Sequence, residues 1–325
     1  MTLVAVARAA GVSKTTASDA LRNSGRVSEK TRKRVTDTAI RLGYAPNVSA
    51  RSLRSSTTGA IGLHLPETLT KSEYYMSFVF GVVEQAARRR YDVTLLTSRN
   101  AQANGTFQRV DGVVLGDPLV TDPLVGGLLG SSLPVVTCER FTGEARANGA
   151  VRSDHAAMLV RLLDQLRAAG AARPALLASS AVTDWGASLQ RAYLEWCRAH
   201  GVPVQLRELA FGSSPEVVQE NVRALLASDP APDALICSPD GSAVAALPVL
   251  RRAGRVVGQD LLLAACVDSA HLLHTDPPIT AIDLRPRDAG AACAELLFDI
   301  LTGDAEEDTV RELPIGLNLR QSSKA

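Results

Sequence analysis

Aromatic side chains are scarce in this 325-residue chain: Phe, Trp and Tyr together make up 4% of it, with only two tryptophans. With 46% hydrophobic residues overall, a core must be built mainly from Ala, Val and Leu. No run is long and apolar enough to read as a membrane-spanning helix, so no membrane partner is expected. The opening Met1-Thr2-Leu3-Val4-Ala5-Val6-Ala7-Arg8 is too short for the apolar segment of a secretory leader, which weighs against a secreted solute-binding protein. Five cysteines (Cys138, Cys197, Cys237, Cys266, Cys293), odd in number and widely spaced, read as reduced core residues of a cytoplasmic protein. Catalytic signatures are missing as well. There is no Gly-rich phosphate loop, no His-Glu-x-x-His and no Gly-x-Ser-x-Gly. The five histidines lack metal-ligand spacing; His271 and His274 stand three apart without a third ligand nearby. The expectation is therefore a non-enzyme with no cofactor and no metal.

Net charge is also nearly absent, at +1, but that total conceals an asymmetry. Residues 1–58 hold eleven Lys and Arg against three acids, a net +8, which leaves −7 on the rest. A basic head favours phosphate contacts driven by counterion release, and an acidic body discourages nonspecific sticking.

The head has a helix-turn-helix pattern. A short helix leads to the turn Ala10-Gly11-Val12-Ser13, then a second helix from Lys14 to Leu21, then a basic third helix. Ala7, Ala10, Val12, Ala17 and Leu21 supply the small or apolar contacts where the helices cross. Gly11 supplies a backbone position that can turn left-handed, and Ser13 and Ser28 are placed to cap the helices that follow them. An exposed second-helix face at Lys14, Thr15, Ser18 and Asp19 would read bases, with Ser13, Thr16 and Arg22 beside it on the DNA.

From Val6-Ala7, Ala10-Gly11-Val12-Ser13 and Thr16-Ala17-Ser18, through Val27-Ser28, Thr31-Arg32 and Val35, to Leu42-Gly43-Tyr44 and Pro46-Asn47, the chain resembles the LacI/GalR family of bacterial transcription regulators. The resemblance implies a helix-turn-helix domain over 1–46, a hinge helix and linker over 47–58, and a two-lobed effector-binding and dimerisation domain over 59–325. In such a hinge the segment from Asn47 to Arg54 orders on operator DNA, with Leu53 wedged into the minor groove and Ala50, Arg51 and Arg54 beside it. Local physics agrees: a helix of one or two turns is too short to persist alone, and an apolar residue between two arginines suits a wedge that unstacks a base step. Asp19 departs from the family, which usually carries arginine there. Aspartate can accept from cytosine N4, or it can pair with Arg22 along the helix.

Beyond residue 59, short aliphatic runs alternate with helical stretches. Strands are predicted at 60–65, 92–96, 112–115, 134–137, 175–178, 204–206, 234–237 and 261–266, with a helix over 78–90. This alternation implies an α/β domain with parallel sheets, and roughly 265 residues exceed one core, so two lobes are expected. The family resemblance implies the same architecture, like that of periplasmic sugar-binding proteins with a ligand in the cleft. Between Leu96 and Asp111 there is little room for a full crossover helix, so that connection should be short or irregular.

Ligand sites in open α/β sheets lie beyond the carboxyl ends of strands. At positions matching the family's cleft stand Asp154, Arg191, Phe211, Asp240 and Asp268, with Trp185 just ahead as a stacking surface. Each also has a structural explanation: Asp240 could cap a helix, Phe211 and Trp185 could be core, and Arg191 could pair with Glu195. Pro239 stands where the family typically has an asparagine, and Val267 where it often has an acid, so the pocket should be less polar or differently selective. The expectation is a homodimeric repressor of a pseudo-palindromic double-stranded DNA operator, controlled by a small sugar-like, carbohydrate effector of either sign.

Overall fold

The computed structural model describes residues 1–44, 57–66, 72–97, 109–210 and 212–324, and these separate into two compact units, Met1–Thr58 and Gly59–Ala325. In the first unit, three helices are set by their caps. Helix α1 (Leu3–Ala9) starts where Thr2 accepts from the Ala5 amide. Helix α2 (Lys14–Arg22) starts where the Ser13 hydroxyl accepts from the Thr16 amide at 3.0 Å, and α3 (Glu29–Arg41) where Ser28 accepts from Thr31 at 3.3 Å. Gly11 takes φ +64° between the first two helices, a conformation that costs glycine least. Val6, Ala7, Ala10, Ala17, Ala20, Val35 and Ala39 form the core, and their small side chains let the helices approach closely.

The second unit holds two six-stranded sheets. In the first, β1 (Ala60–His64), β2 (Asp92–Leu96), β3 (Val113–Gly116), β4 (Val135–Cys138), β5 (Gly149–Arg152) and β11 (Thr309–Glu312) run parallel in the order β11-β5-β4-β3-β1-β2. In the second, β6 (Pro174–Ser179), β7 (Leu206–Leu209), β8 (Ala234–Cys237), β9 (Leu262–Ala265), β10 (Thr280–Asp283) and β12 (Gly316–Asn318) run in the order β12-β10-β9-β8-β6-β7, with β12 alone antiparallel. The central strands are buried along their length, as parallel sheets covered on both faces require.

On one face of the first sheet lie α4 (Glu73–Arg88) and α11 (Pro286–Thr302), and on the other α5 (Pro123–Leu129). The second sheet is covered by α6 (His155–Ala168) and α7 (Asp184–His200) on one face and by α8 (Pro215–Leu226) and α9 (Ser242–Arg252) on the other, with the short α10 (Ala270–Leu273) after β9. The chain passes between the lobes three times: from β5 to α6, from β10 to α11, and from β11 to β12.

Helices α4 and α11 meet at two glycines. A Cβ on Gly290 would lie 2.1 Å from the Phe78 carbonyl oxygen, and one on Gly81 2.0 Å from that of Arg287. Here the two backbones touch, which only glycine permits.

The α/β reading with two parallel-sheet lobes matches the structure, with adjustments. The strand expected at 204–206 lies at Leu206–Leu209, because residues 202–205 only lead up to the sheet. Four strands at 149–152, 280–283, 309–312 and 316–318 had no clear pattern of their own. The crossover expected to be short falls largely on residues 98–108, outside the described residues.

Candidate functional site

In the three-helix unit, Lys14 and Thr15 at the start of α2 are exposed, whereas Ser18 and Asp19 are partly buried. Ser13 and Thr16 face each other, their hydroxyls 2.8 Å apart. The Asp19 side chain lies against the turn that ends α2: a Cβ on Gly25 would come within 3.1 Å of its carboxylate oxygen. The helix start therefore presents an exposed lysine and threonine, the arrangement that suits a phosphate or base edge.

In the second unit a cavity of about 390 Å³ opens beyond the carboxyl ends of both sheets. Its walls grow from strand ends and helix starts. On the first lobe, β3 runs out through Gly116, where a Cβ would meet Leu65 at 2.5 Å, into Asp117. Likewise β4 runs out through Cys138 into Glu139. Both acids sit at left-handed backbone positions, φ +44° and +63°, strained for residues with a side chain. Such strain concentrates where a fold must hold a side chain in a set place.

The N-terminus of α4 brings Ser72, Glu73, Tyr74 and Tyr75 to the same wall. Tyr75 donates its hydroxyl to Asp117 in a short hydrogen bond. Burial raises the Asp117 carboxyl to about 6, against the lowering effect of that bond. Burial likewise pushes the Tyr74 and Tyr75 phenols well above their ordinary range, so both stay protonated donors. His155, at the start of α6, places Nε2 2.8 Å from Glu139 Oε1, both side chains being about nine-tenths buried.

From the second lobe come Ser179 at the end of β6, Trp185 on α7, Leu209 and Ala210 where β7 ends, and Pro239 to Ser242 at the start of α9. Trp185 is set in place by its neighbour: a Cβ on Gly186 would lie 2.1 Å from the Ser180 carbonyl, so the first turn of α7 presses on the preceding loop. Its indole stands edge-on to His155, centroids 6.4 Å apart, and its Nε1–H is buried with no partner among the described residues. The lobes are tied across the cleft by Ser72, whose hydroxyl donates to Asp240 at 2.6 Å. A cleft with largely apolar walls and a few fixed polar groups contributed by two lobes is what a small-molecule site requires.

Residues 2–47 match the family described as bacterial regulatory proteins, lacI family, and residues 163–323 a periplasmic binding protein-like domain. The HTH-type transcriptional regulator CelR of Thermobifida fusca is 30% identical over 99% of this chain and 98% of its own length. The chain belongs to the LacI family of bacterial regulatory proteins. Catabolite control protein A of Priestia megaterium is 25% identical over 100% of the chain and 99% of its own length. Among solved structures, a transcriptional regulator CelR–cellobiose complex superposes with a TM-score of 0.73 at 27% identity, covering 99% of each chain. A lac repressor dimer bound to operator and an anti-inducer reaches 0.87 at 22% identity over 100% of this chain and 99% of its own, a likeness of fold.

Within this LacI-family regulator, Trp185 and Asp240 line the cavity. Three other expected residues are placed elsewhere. Asp154 caps α6, accepting from the Ala157 amide at 2.9 Å. Arg191 reaches Ser188, one turn back on α7, and is not on the cavity wall. Asp268 is held by both terminal nitrogens of Arg320, at 2.6 and 2.8 Å, and by Asn318, and so fastens the C-terminal segment to the end of β9. Phe211, Asn47, Ala50, Arg51, Leu53, Arg54 and the Arg22 side chain lie outside the described residues. The residues the sequence reading passed over are Tyr74, Tyr75, Asp117, Glu139 and His155. One signal was available for the two acids: each directly follows a run of buried strand residues.

Proposed function

We propose that this LacI-family transcription regulator represses from a pseudo-palindromic operator, which it grips as a homodimer, and that a small sugar-like molecule in the cleft sets its affinity for DNA. The observation that carries the reading is the cleft itself: polar groups from both lobes converge on one cavity, and Ser72 bridges to Asp240 across it. A ligand that contacts both walls necessarily favours one arrangement of the lobes over others. In a dimer that preference reaches the two DNA-binding arms, and by linkage effector and DNA affinities change by the same factor.

One three-helix unit reads a half-site, so two arms about one helical turn apart are needed for specific affinity. Lys14, Thr15, Ser18 and Asp19 are proposed as the base-reading face, with Ser13, Thr16 and Arg22 on the backbone. The segment 47–58 is proposed as a hinge that folds on DNA with Leu53 as its wedge, between a DNA-binding domain at 1–46 and the effector domain at 59–325. The similarity to a regulator solved with cellobiose supports a carbohydrate-like effector, and that to a repressor dimer on its operator supports the assembly. No helix among the described residues is long and apolar enough to cross a membrane, and we place the protein with the DNA, in the cytoplasm. It carries out no catalysis in this reading. The test is a binding-site selection on the purified protein with and without a panel of sugars. A palindrome enriched in one condition and weakened in another is expected; failure to enrich any palindrome under all conditions refutes the proposal.

A further inference from the structure

The charge around the cavity is one-sided. Glu73 and Asp117 approach from the first lobe with Glu139, and Asp240 from the second. Among the described residues that line the cavity there is no lysine or arginine; Arg191, the cation nearest in sequence to Trp185 on α7, is turned to Ser188 instead. The basic groups present are two imidazoles, His155 and His271, and the first is already engaged by Glu139. Among the described lining residues, four carboxylates therefore face two imidazoles and no lysine or arginine.

We propose that the effector is cationic: the cleft selects a hydroxylated amine of the amino-sugar class over its neutral parent sugar. This rests on the reading of the cleft as the effector site. A neutral sugar could donate hydroxyls to the carboxylates but would leave their mutual repulsion in place, in a cavity whose walls exclude much of the water. An ammonium group set beside Asp117 and Glu139, with the exposed Glu73 on the same wall, offsets that repulsion and forms charge-assisted hydrogen bonds. The rings of Tyr74, Tyr75 and Trp185 on the same walls offer negative faces to a cation and an apolar surface to a sugar ring. The Tyr74 and Tyr75 rings stand edge to face, centroids 5.0 Å apart. The unpartnered Trp185 Nε1–H asks for an acceptor, which a hydroxyl oxygen of the same ligand supplies. An anionic sugar meets carboxylates on both lobes and no lysine or arginine among the described lining residues.

The test is calorimetric titration of the full-length protein with glucosamine, galactosamine and mannosamine, each beside its parent hexose and its neutral N-acetyl derivative. At least one amine is expected to bind ten-fold or more tightly than both of its neutral counterparts. Asp117→Asn should cut that preference several-fold, and asparagine accepts the left-handed backbone at 117, so the turn survives. Glu139→Gln is the second variant, at an independent position, with the same expected loss. Equal or weaker binding of the amines than of the neutral sugars, or no binding of any amine, overturns the inference. Operator selection on the same preparation separates the two readings. A protein that selects a palindrome but prefers neutral sugars refutes the charge inference alone, whereas one that selects no palindrome refutes the regulator mechanism.

Discussion

Adding one methyl group at Gly290 tests how the first lobe is held together. Its Cβ would sit 2.1 Å from the Phe78 carbonyl oxygen, where ordinary contact begins near 3.4 Å, so the helices must part by about 1.3 Å. The obstacle is backbone on both sides, which cannot swing away as a flexible side chain would. Parting α4 from α11 loosens Phe78 and Val82 against Cys293 and Leu297, all buried in one cluster. Overpacking of a core costs typically 1–3 kcal/mol, and a backbone clash belongs at or above the top of that range, so Gly290→Ala should lose about 3 kcal/mol. For a unit of this size that corresponds to a fall in Tm of roughly 6–12 °C. The contrast is Gly126→Ala in α5, where an added Cβ meets nothing within 4 Å. There the better helix propensity of alanine should add about 0.5–1 kcal/mol and raise Tm slightly. Thermal unfolding followed by circular dichroism reads both. If Gly290→Ala melts within about 2 °C of the parent protein, the close helix contact does not have the energetic role assigned to it.

Other expectations follow from single contacts. Ser13→Ala removes the cap of α2 and should cost about 1 kcal/mol, with weaker operator binding in a gel-shift titration; unchanged stability and affinity would count against it. Asp268→Ala strands the Arg320 guanidinium, which is 13% exposed, and should lower stability by about 3 kcal/mol in urea unfolding. Asp19→Ala should shift the preferred operator in a binding-site selection, and an unchanged operator would show that this residue reads no base. Asp117 faces Tyr75 on α4, Glu139 beyond β4 and His155 on α6, and its folded pKa of about 6 lies above the ordinary 3.8. The fold therefore favours its neutral form: this stabilisation is full below about pH 4 and is lost as pH rises to about 6. Asp117→Asn should flatten the urea-stability profile across that window, and a profile that keeps its slope would assign the titration to another group.

Much of the fold was legible because buried parallel strands read as continuous aliphatic runs: the run at 234–237 coincides with β8. The run at 92–96 coincides with β2 although that strand lies at a sheet edge and is mostly exposed, because Val93, Leu95 and Leu96 still mark it. β11 and β12, at sheet edges, were not, since Thr309-Val310-Arg311-Glu312 alternates exposed and half-buried residues and has no apolar run. Caps were readable where a serine precedes a helix, as at Ser13 and Ser28. The cleft was harder. Asp240 could be placed from its position after a strand and ahead of a helix, and Trp185 from its position at a helix start, but Arg191 could not, because helical phase decides which wall a side chain reaches. Asp117 and Tyr75 are 42 residues apart and meet only through the sheet order that sets β3 beside β1. No local pattern encodes such a meeting.

The three passages between the lobes also govern how the protein is made. Helix α4 leaves the ribosome with its apolar face ready, but its partner α11 begins at Pro286, nearly two hundred residues after α4 ends at Arg88. At about 5–20 residues per second, that face waits roughly 10–40 s for its cover. The edge strand β11 comes later still. The first lobe to begin synthesis is thus completed only after strands β6 to β10 of the second have been made, and chaperone demand during translation should fall on Phe78, Val82 and the sheet face beneath them.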